Sequence, residues 1–242
     1  MKKKHTLTLL VLIFMSFMIT APEIDGFAQG IQPDSTITWQ VKKAPSVGFD
    51  MYWSEGGGWI ADNDSLMMFT VSNIGEDIEG SLTLGNLTVA ANDTEIAKDL
   101  TLGVWGATAW LPGLFVKIGQ SNIDSLNETA YAAAERVQYN YLNGTMTSRY
   151  DNVTIGSVTI ECIIFDYEQD PSGFGEPQVT HLAYALDTGV LVEASTSYSF
   201  GVPYLLELEL DLTVSVDPLF VTVGIAVTVI VIIAVAVVMK RR

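Results

Sequence analysis

The sequence predicts an α+β domain, mainly β, in which a curved antiparallel sheet (a meander) packs on one helix, followed by one transmembrane helix. Three observations carry this expectation. Residues 204–216 (YLLELELDLTVSV) alternate strictly. Leu206, Leu208, Leu210, Leu212, Val214 and Val216 take one face; Glu207, Glu209, Asp211, Thr213 and Ser215 take the other. A period of two belongs to a strand with one wet face. One segment, residues 123–137 (IDSLNETAYAAAERV), repeats instead at helical spacing through Leu126, Ala130, Ala133 and Val137. Finally, residues 219–239 form an unbroken apolar or weakly polar run, closed at once by Lys240, Arg241 and Arg242.

In chain order, Lys2, Lys3, Lys4 and His5 precede an apolar stretch over residues 6–20. This is the anatomy of a signal peptide, assigned to residues 1–28 with cleavage after Ala28, where Gly26 and Ala28 supply small side chains. The stretch is short for a span, which needs about 20 apolar residues; an uncleaved anchor is the alternative. The second apolar run covers roughly 31 Å at about 1.5 Å per residue, matching a bilayer core. The expected division is therefore an extracytoplasmic domain over residues 29–217, a transmembrane helix over 218–239 and a basic cytoplasmic tail over 240–242. Basic residues favour the cytoplasmic side, so the expected location is the cell membrane, single-pass, with the N-terminal domain outside.

Within that domain, residues 37–42, 46–53, 66–72, 80–89 and 100–105 read as strands, with Glu55-Gly56-Gly57-Gly58 and Asn92-Asp93 as turn material. The helix over 123–137 follows, with Ser121 or Asp124 as its cap. Residues 137–149 read as a hairpin around Asn143-Gly144, and residues 153–167 as one long β-branched strand. On that strand Cys162 shares a face with Val158, Ile160 and Ile164, so it reads as a small core residue. Residues 178–186 and 190–198 flank Asp187-Thr188-Gly189, a hairpin with glycine where positive φ is needed. The acidic row of the last strand is expected to guard an outer face against edge pairing.

Two of the 28 acidic residues fall in the leader, and six of the 12 basic ones fall in the leader and tail. The domain thus holds 26 acids against six bases, a balance of −20, which repels nucleic acid and anionic headgroups. Such charge suits cationic partners, or serves solubility alone. One cysteine excludes an intrachain disulfide, so stability rests on the core. Six of nine asparagines head N-x-S/T sequons: Asn63, Asn86, Asn92, Asn127, Asn143 and Asn152. They predict a glycosylated surface on an exported chain.

Chemistry-bearing patterns are sparse. His181 is the one histidine beyond the leader; Ser195 and Asp187 lie near it in sequence, but no G-x-S-x-G elbow exists, and a surface histidine in a strand is the plainer reading. Asp166, Glu168, Asp170 and Glu176 place acids in the style of a calcium loop, and Ca2+ is the one metal so suggested. Pro171 stands where that loop needs glycine, and a solvated loop accounts for the same residues. Trp53 and Trp59 bracket the glycine run, placed either to stack on sugars or to pack across a hairpin. Trp105, Trp110 and the apolar residues 111–115 line a groove or close the core. Glu207 and Glu209 share one solvated row, without the contrasting environments that acid–base work requires.

The leader, the sequon-rich β domain with its phrase YALDTGVLVEAS, and the terminal span closed by KRR together resemble archaeal-type cell-surface proteins. The run of antiparallel strands is also similar in outline to periplasmic lipoprotein-carrier half-barrels, where a curved sheet holds an acyl chain; no residue carries over from that likeness. The expected function is a membrane-anchored envelope protein with a non-catalytic binding or scaffold role, meeting an extracellular protein, glycan or lipid. A carrier or sensor of an apolar ligand held in the concave face is the second reading, and an extracellular hydrolase the third.

Overall fold

The computed structural model describes residues 26–28, 30–45, 48–51, 57–60, 62–100, 112–135, 144–170, 176–199 and 203–213. The predicted signal peptide up to residue 25, the predicted transmembrane helix and tail, Trp53, Trp105, Trp110 and Asn143 lie outside the described residues. No helix among the described residues is long and apolar enough to cross a membrane.

The domain is mainly β. Its strands are β1 (Thr36–Lys43), β2 (Phe49–Met51), β3 (Gly57–Trp59), β4 (Leu66–Ile74), β5 (Ile78–Leu84), β6 (Leu87–Asn92), β7 (Gly144–Ile155), β8 (Val158–Gln169), β9 (Val179–Ala185), β10 (Leu191–Ser199) and β11 (Pro203–Leu210). Two helices accompany them, α1 (Asp93–Leu100) and α2 (Gln120–Ala134). Nine strands form one antiparallel sheet in the order β6-β5-β4-β1-β11-β10-β9-β8-β7; β2 and β3 form a separate ribbon. The expected meander is thus two meanders, β4 to β6 and β7 to β11, joined where β1 pairs with β11. The acidic row of β11 guards no edge, because β11 sits between β1 and β10 in the middle of the sheet.

Two expected strands are hairpins. Residues 80–89 fold back at Gly85-Asn86 into β5 and β6, and residues 153–167 fold back at Gly156-Ser157 between β7 and β8. In each case the apolar residues of one face skip a step across the turn, from Leu84 to Leu87 on the inner face and from Ile155 to Val158 on the outer. That phase slip is what a two-residue loop requires, with glycine at positive φ (58° at Gly85, 60° at Gly156). Gly144 opens β7, whose partner is β8; the first arm of the hairpin expected around Asn143-Gly144 lies outside the described residues. Of residues 46–53, the described ones include the short β2.

The Asn92-Asp93 pair, expected as turn material, starts a second helix. Asn92 Oδ1 accepts the Glu95 backbone N–H at 2.7 Å, while Glu95 Oε2 accepts that of Asn92 at 3.4 Å. This reciprocal capping satisfies two N-terminal donors and carries the chain into α1 through Leu100, which was expected to begin a strand. Helix α2 begins three residues earlier than the hydrophobic repeat suggests, after Gly119, so Ser121 and Asp124 lie inside it rather than capping it.

The inner face of the sheet carries Trp39, Met67, Phe69, Leu82, Phe165, Leu182 and Leu208, all buried. Across it runs a strap, residues 113–118. Its Phe115 ring lies 6.1 Å from Trp39 and 5.6 Å from Phe69, edge-on and tilted, a favourable aromatic geometry. A buried strap must pair its own backbone groups. Leu114 O accepts Leu191 N–H at 3.0 Å, Val116 N–H donates to Gly189 O at 2.8 Å, and Tyr184 Oη donates to Gly113 O at 2.8 Å. Burial pushes the Tyr184 hydroxyl well above its usual pKa and keeps it a donor. Asp93, 2% exposed, accepts Ile78 N–H at 3.1 Å on one oxygen and Phe115 N–H at 3.3 Å on the other.

The sheet also coils on itself. The tip of the β7–β8 hairpin, Ile155 to Val158, shares a cleft of about 570 Å³ with Gln40, Glu209 and residues 210–213. In a flat sheet β8 would stand about 19 Å from β1, so the overhanging tip bends over the outer face. Beneath the bend lie Val153, Cys162, Ile164, Ala183 and Ala185, which register places on that outer face and which are nonetheless buried. Cys162 is fully buried as expected, although on the outer face, and Val158, expected to share its buried face, is exposed.

Gly189, at φ 71°, offers a direct test of the strap, since an added Cβ would run into the Val116 carbonyl, whereas at Gly156 the space is open. Gly156→Ala is expected to cost about 1 kcal/mol for its left-handed backbone, and Gly189→Ala about 3 kcal/mol or more, measured by denaturant unfolding. Asp93 supplies a pH signature. Burial raises its pKa from 3.8 to about 6, despite the opposing backbone hydrogen bonds, so its stabilising contribution is complete below 3.8 and lost as pH rises through 6. Relative to Asp93→Asn, the native chain should therefore gain about 2 kcal/mol of unfolding free energy between pH 7 and pH 4.

Candidate functional site

Residues opposite one another in an antiparallel register share a face. Following the pairs across six strands, Thr147, Asp166, His181, Ser195, Glu207 and Lys43 fall in one line over the outer face, from β7 to β1. At about 4.8 Å per strand the line is about 24 Å long. The neighbouring line holds Arg149, Ile164, Ala183, Glu193, Glu209 and Gln40. Sequence reasoning missed this assembly because its members come from six strands and are aligned only by the register between them.

His181 is at its centre. Nδ1 lies 2.6 Å from Asp166 Oδ1, and Nε2 faces Glu193 Oε2 at 3.8 Å. The Arg149 guanidinium pairs with the other oxygen of Asp166, and its Nε lies 3.9 Å from Asp151. Partial burial would raise the Asp166 pKa, but the hydrogen bonds from His181 and Arg149 outweigh it and hold the carboxyl below its usual value. At the β1 end, a bulge between Val41 and Lys43 turns two successive lysines toward the same acidic row. Lys42 Nζ meets Glu209 at 3.1 Å and Lys43 Nζ meets Glu207 at 2.8 Å. The face thus carries three of the domain's six bases, set among acids.

The imidazole is flanked by carboxylates on both ring nitrogens, with Ser195 its cross-strand neighbour. The ring nitrogen a nucleophile would use is turned to Glu193, and Asp187 lies in the β9–β10 turn, away from the pair. The surface histidine of the plainer reading is half-buried and holds a named acid. What the arrangement does well is present alternating charge. Each pair is 29–60% exposed at its side chains, and exposed pairs contribute at most about 1 kcal/mol each, so a partner can exchange them.

The four acids of the calcium pattern are not drawn together. Asp166 is engaged by Arg149 and His181; Glu168 follows two residues along β8; Asp170 and Glu176 are exposed on either side of residues 171–175, which lie outside the described residues. Among the described residues no group of three or more His, Cys, Asp or Glu side chains is placed to hold a metal. Of the sequon asparagines, Asn63, Asn86 and Asn152 are exposed, and Asn92 and Asn127 are half-buried. Trp59 is buried in the core and so packs inward. No protein-family model matches the chain, and no curated protein or solved structure resembles it significantly.

Removing either hydrogen-bond partner of Asp166 should raise its pKa toward the ordinary carboxylate value. Carboxyl-carbon NMR titration of Arg149→Gln and His181→Gln is expected to show upward shifts in both, and an unchanged midpoint would mean that neither contact persists in solution.

Proposed function

We propose that this chain is an exported, single-span membrane protein whose 29–217 domain serves outside the cell in a non-catalytic binding or scaffold role. The observation that carries the binding role is the outer-face line of half-exposed, weakly paired charges centred on His181. Its partner is an extracellular protein or glycan that offers complementary charge. The leader, the apolar run over 219–239 and its basic stop support the placement.

The lipid-carrier reading would set an apolar ligand on the inner face. Among the described residues that face is occupied by the chain's own Leu114, Phe115 and Ile96, each essentially inaccessible to solvent. A hydrolase built on His181 would need a nucleophile at Nε2, where Glu193 stands 3.8 Å away.

The test is made on the full chain in intact cells. It is expected to stay with membranes after an alkaline wash, and external protease should remove the domain and spare the last residues. A carboxyl-to-amine crosslinker should join the domain to another envelope component, and Asp166→Asn with Glu193→Gln should reduce that product. A chain found in the soluble fraction would refute the placement; crosslinks unchanged in the double variant would refute the binding face.

A further inference from the structure

The two strands with a free side in the nine-stranded sheet, among the described residues, are β6 and β7. A free strand side displays unpaired N–H and C=O groups and invites pairing with a second chain, so edges are usually blunted with charge or proline. Strand β6 (LTVAAN) has neither. Instead Asn86 sits in the turn that opens it and Asn92 is its last residue, and each heads a sequon. Strand β7 carries a third, Asn152, exposed among Tyr150, Asp151 and Thr154. Residues 86–92 and 144–155 are 19 of the 189 in the domain, yet they hold three of its six sequons. The interior strands β1, β4, β5, β8, β9, β10 and β11 contain none.

Part of the β7 edge is covered in another way: the Tyr131 hydroxyl from α2 accepts the Ser148 backbone N–H at 3.2 Å. Asn152 lies four residues beyond that hydrogen bond along β7 and is exposed. On β6, the two sequons stand about 20 Å apart, one at each end, so an incoming strand would have to pass both. The capping bond at Asn92 uses Oδ1, leaving Nδ2 as the atom that a sugar would take.

We infer that N-linked glycans on Asn86, Asn92 and Asn152 are edge guards that keep the sheet from pairing with a second copy of this chain. The inference rests on the proposed export of the domain. In each modification the asparagine amide nitrogen forms a bond to the anomeric carbon of a lipid-linked glycosyl phosphate. The sugar–phosphate C–O bond breaks, the lipid phosphate leaves with its electron pair, and the amide proton passes to a base of the external transferase.

The experiment uses the full chain, made in an exporting host and purified in detergent. Thr88→Ala, Thr94→Ala and Thr154→Ala together abolish the three sequons while retaining each asparagine and the Asn92 cap. A control carries Ser65→Ala and Thr129→Ala, which abolish those at Asn63 and Asn127. Intact mass counts the glycans, thermal melting checks the fold, and sedimentation reads association. The edge variant is expected to lose glycan mass and to self-associate at about tenfold lower concentration, while the control stays dispersed. Thr88→Lys in place of Thr88→Ala substitutes charge for sugar on β6 and should restore part of the dispersal. Glycans present on the native chain, with an edge variant as dispersed as the control, would overturn the inference and leave the export reading standing. Native chain bearing no glycan at any of the three sites would overturn the inference, and an unexported chain would take the underlying reading with it.

Discussion

A nine-stranded sheet leaves its inner face wet unless something is laid across it, and here Phe115 is the residue that everything else accommodates. Its ring meets Trp39 and Phe69, residues from two neighbouring strands. Placing it there carries a stretch of backbone into the interior, where every unpaired N–H or C=O costs free energy. The rest of the arrangement answers that constraint. Leu191 and Gly189 supply backbone partners from the β9–β10 hairpin, Tyr184 supplies a hydroxyl, and Asp93 supplies an acceptor at the head of α1. Glycine at 189 and a carboxylate at 93 are therefore consequences of where Phe115 goes.

The outer face is governed by a different balance. The domain holds many more acids than bases, so a base is scarce and its position matters. Arg149, Lys42 and Lys43 each stand against a carboxylate of this face, Arg149 against Asp166, Lys42 against Glu209 and Lys43 against Glu207. His181 fills the gap between Asp166 and Glu193. These contacts are too exposed to contribute much to stability. Their effect is to fix a pattern of sign along the face, which is the property that a charged partner reads.

How much of this was legible in the sequence depended on whether a pattern was local. The β9–β10 hairpin, the inward leucines of β11 and the burial of Cys162 follow from alternation that lies within a few residues, and the structure has them as expected. The hairpins at Gly85 and Gly156 were hidden because a one-residue phase slip inside a β-branched stretch is easily averaged away when it is read as a single strand. Helix α1 is only eight residues long, too short for its apolar spacing to stand out, and its start was signalled by Asn92 and Glu95 three residues apart. The line through His181 was beyond reach, since register between β8, β9, β10 and β11 is settled by which face packs on Phe115, and no single segment states that.

Strands β1 and β11, early and late in the chain, lie side by side in the middle of the sheet, Trp39 opposite Leu210. The consequence is mechanical. A load applied through the residues after Leu210 pulls on a strand held along both flanks, by β1 on one side and β10 on the other. Unzipping from a free margin would break one bond pair at a time; drawing β11 lengthwise out of the centre must shear two ladders together. A sheet pulled through that strand resists being dragged open far better than it would if the strand lay at the rim.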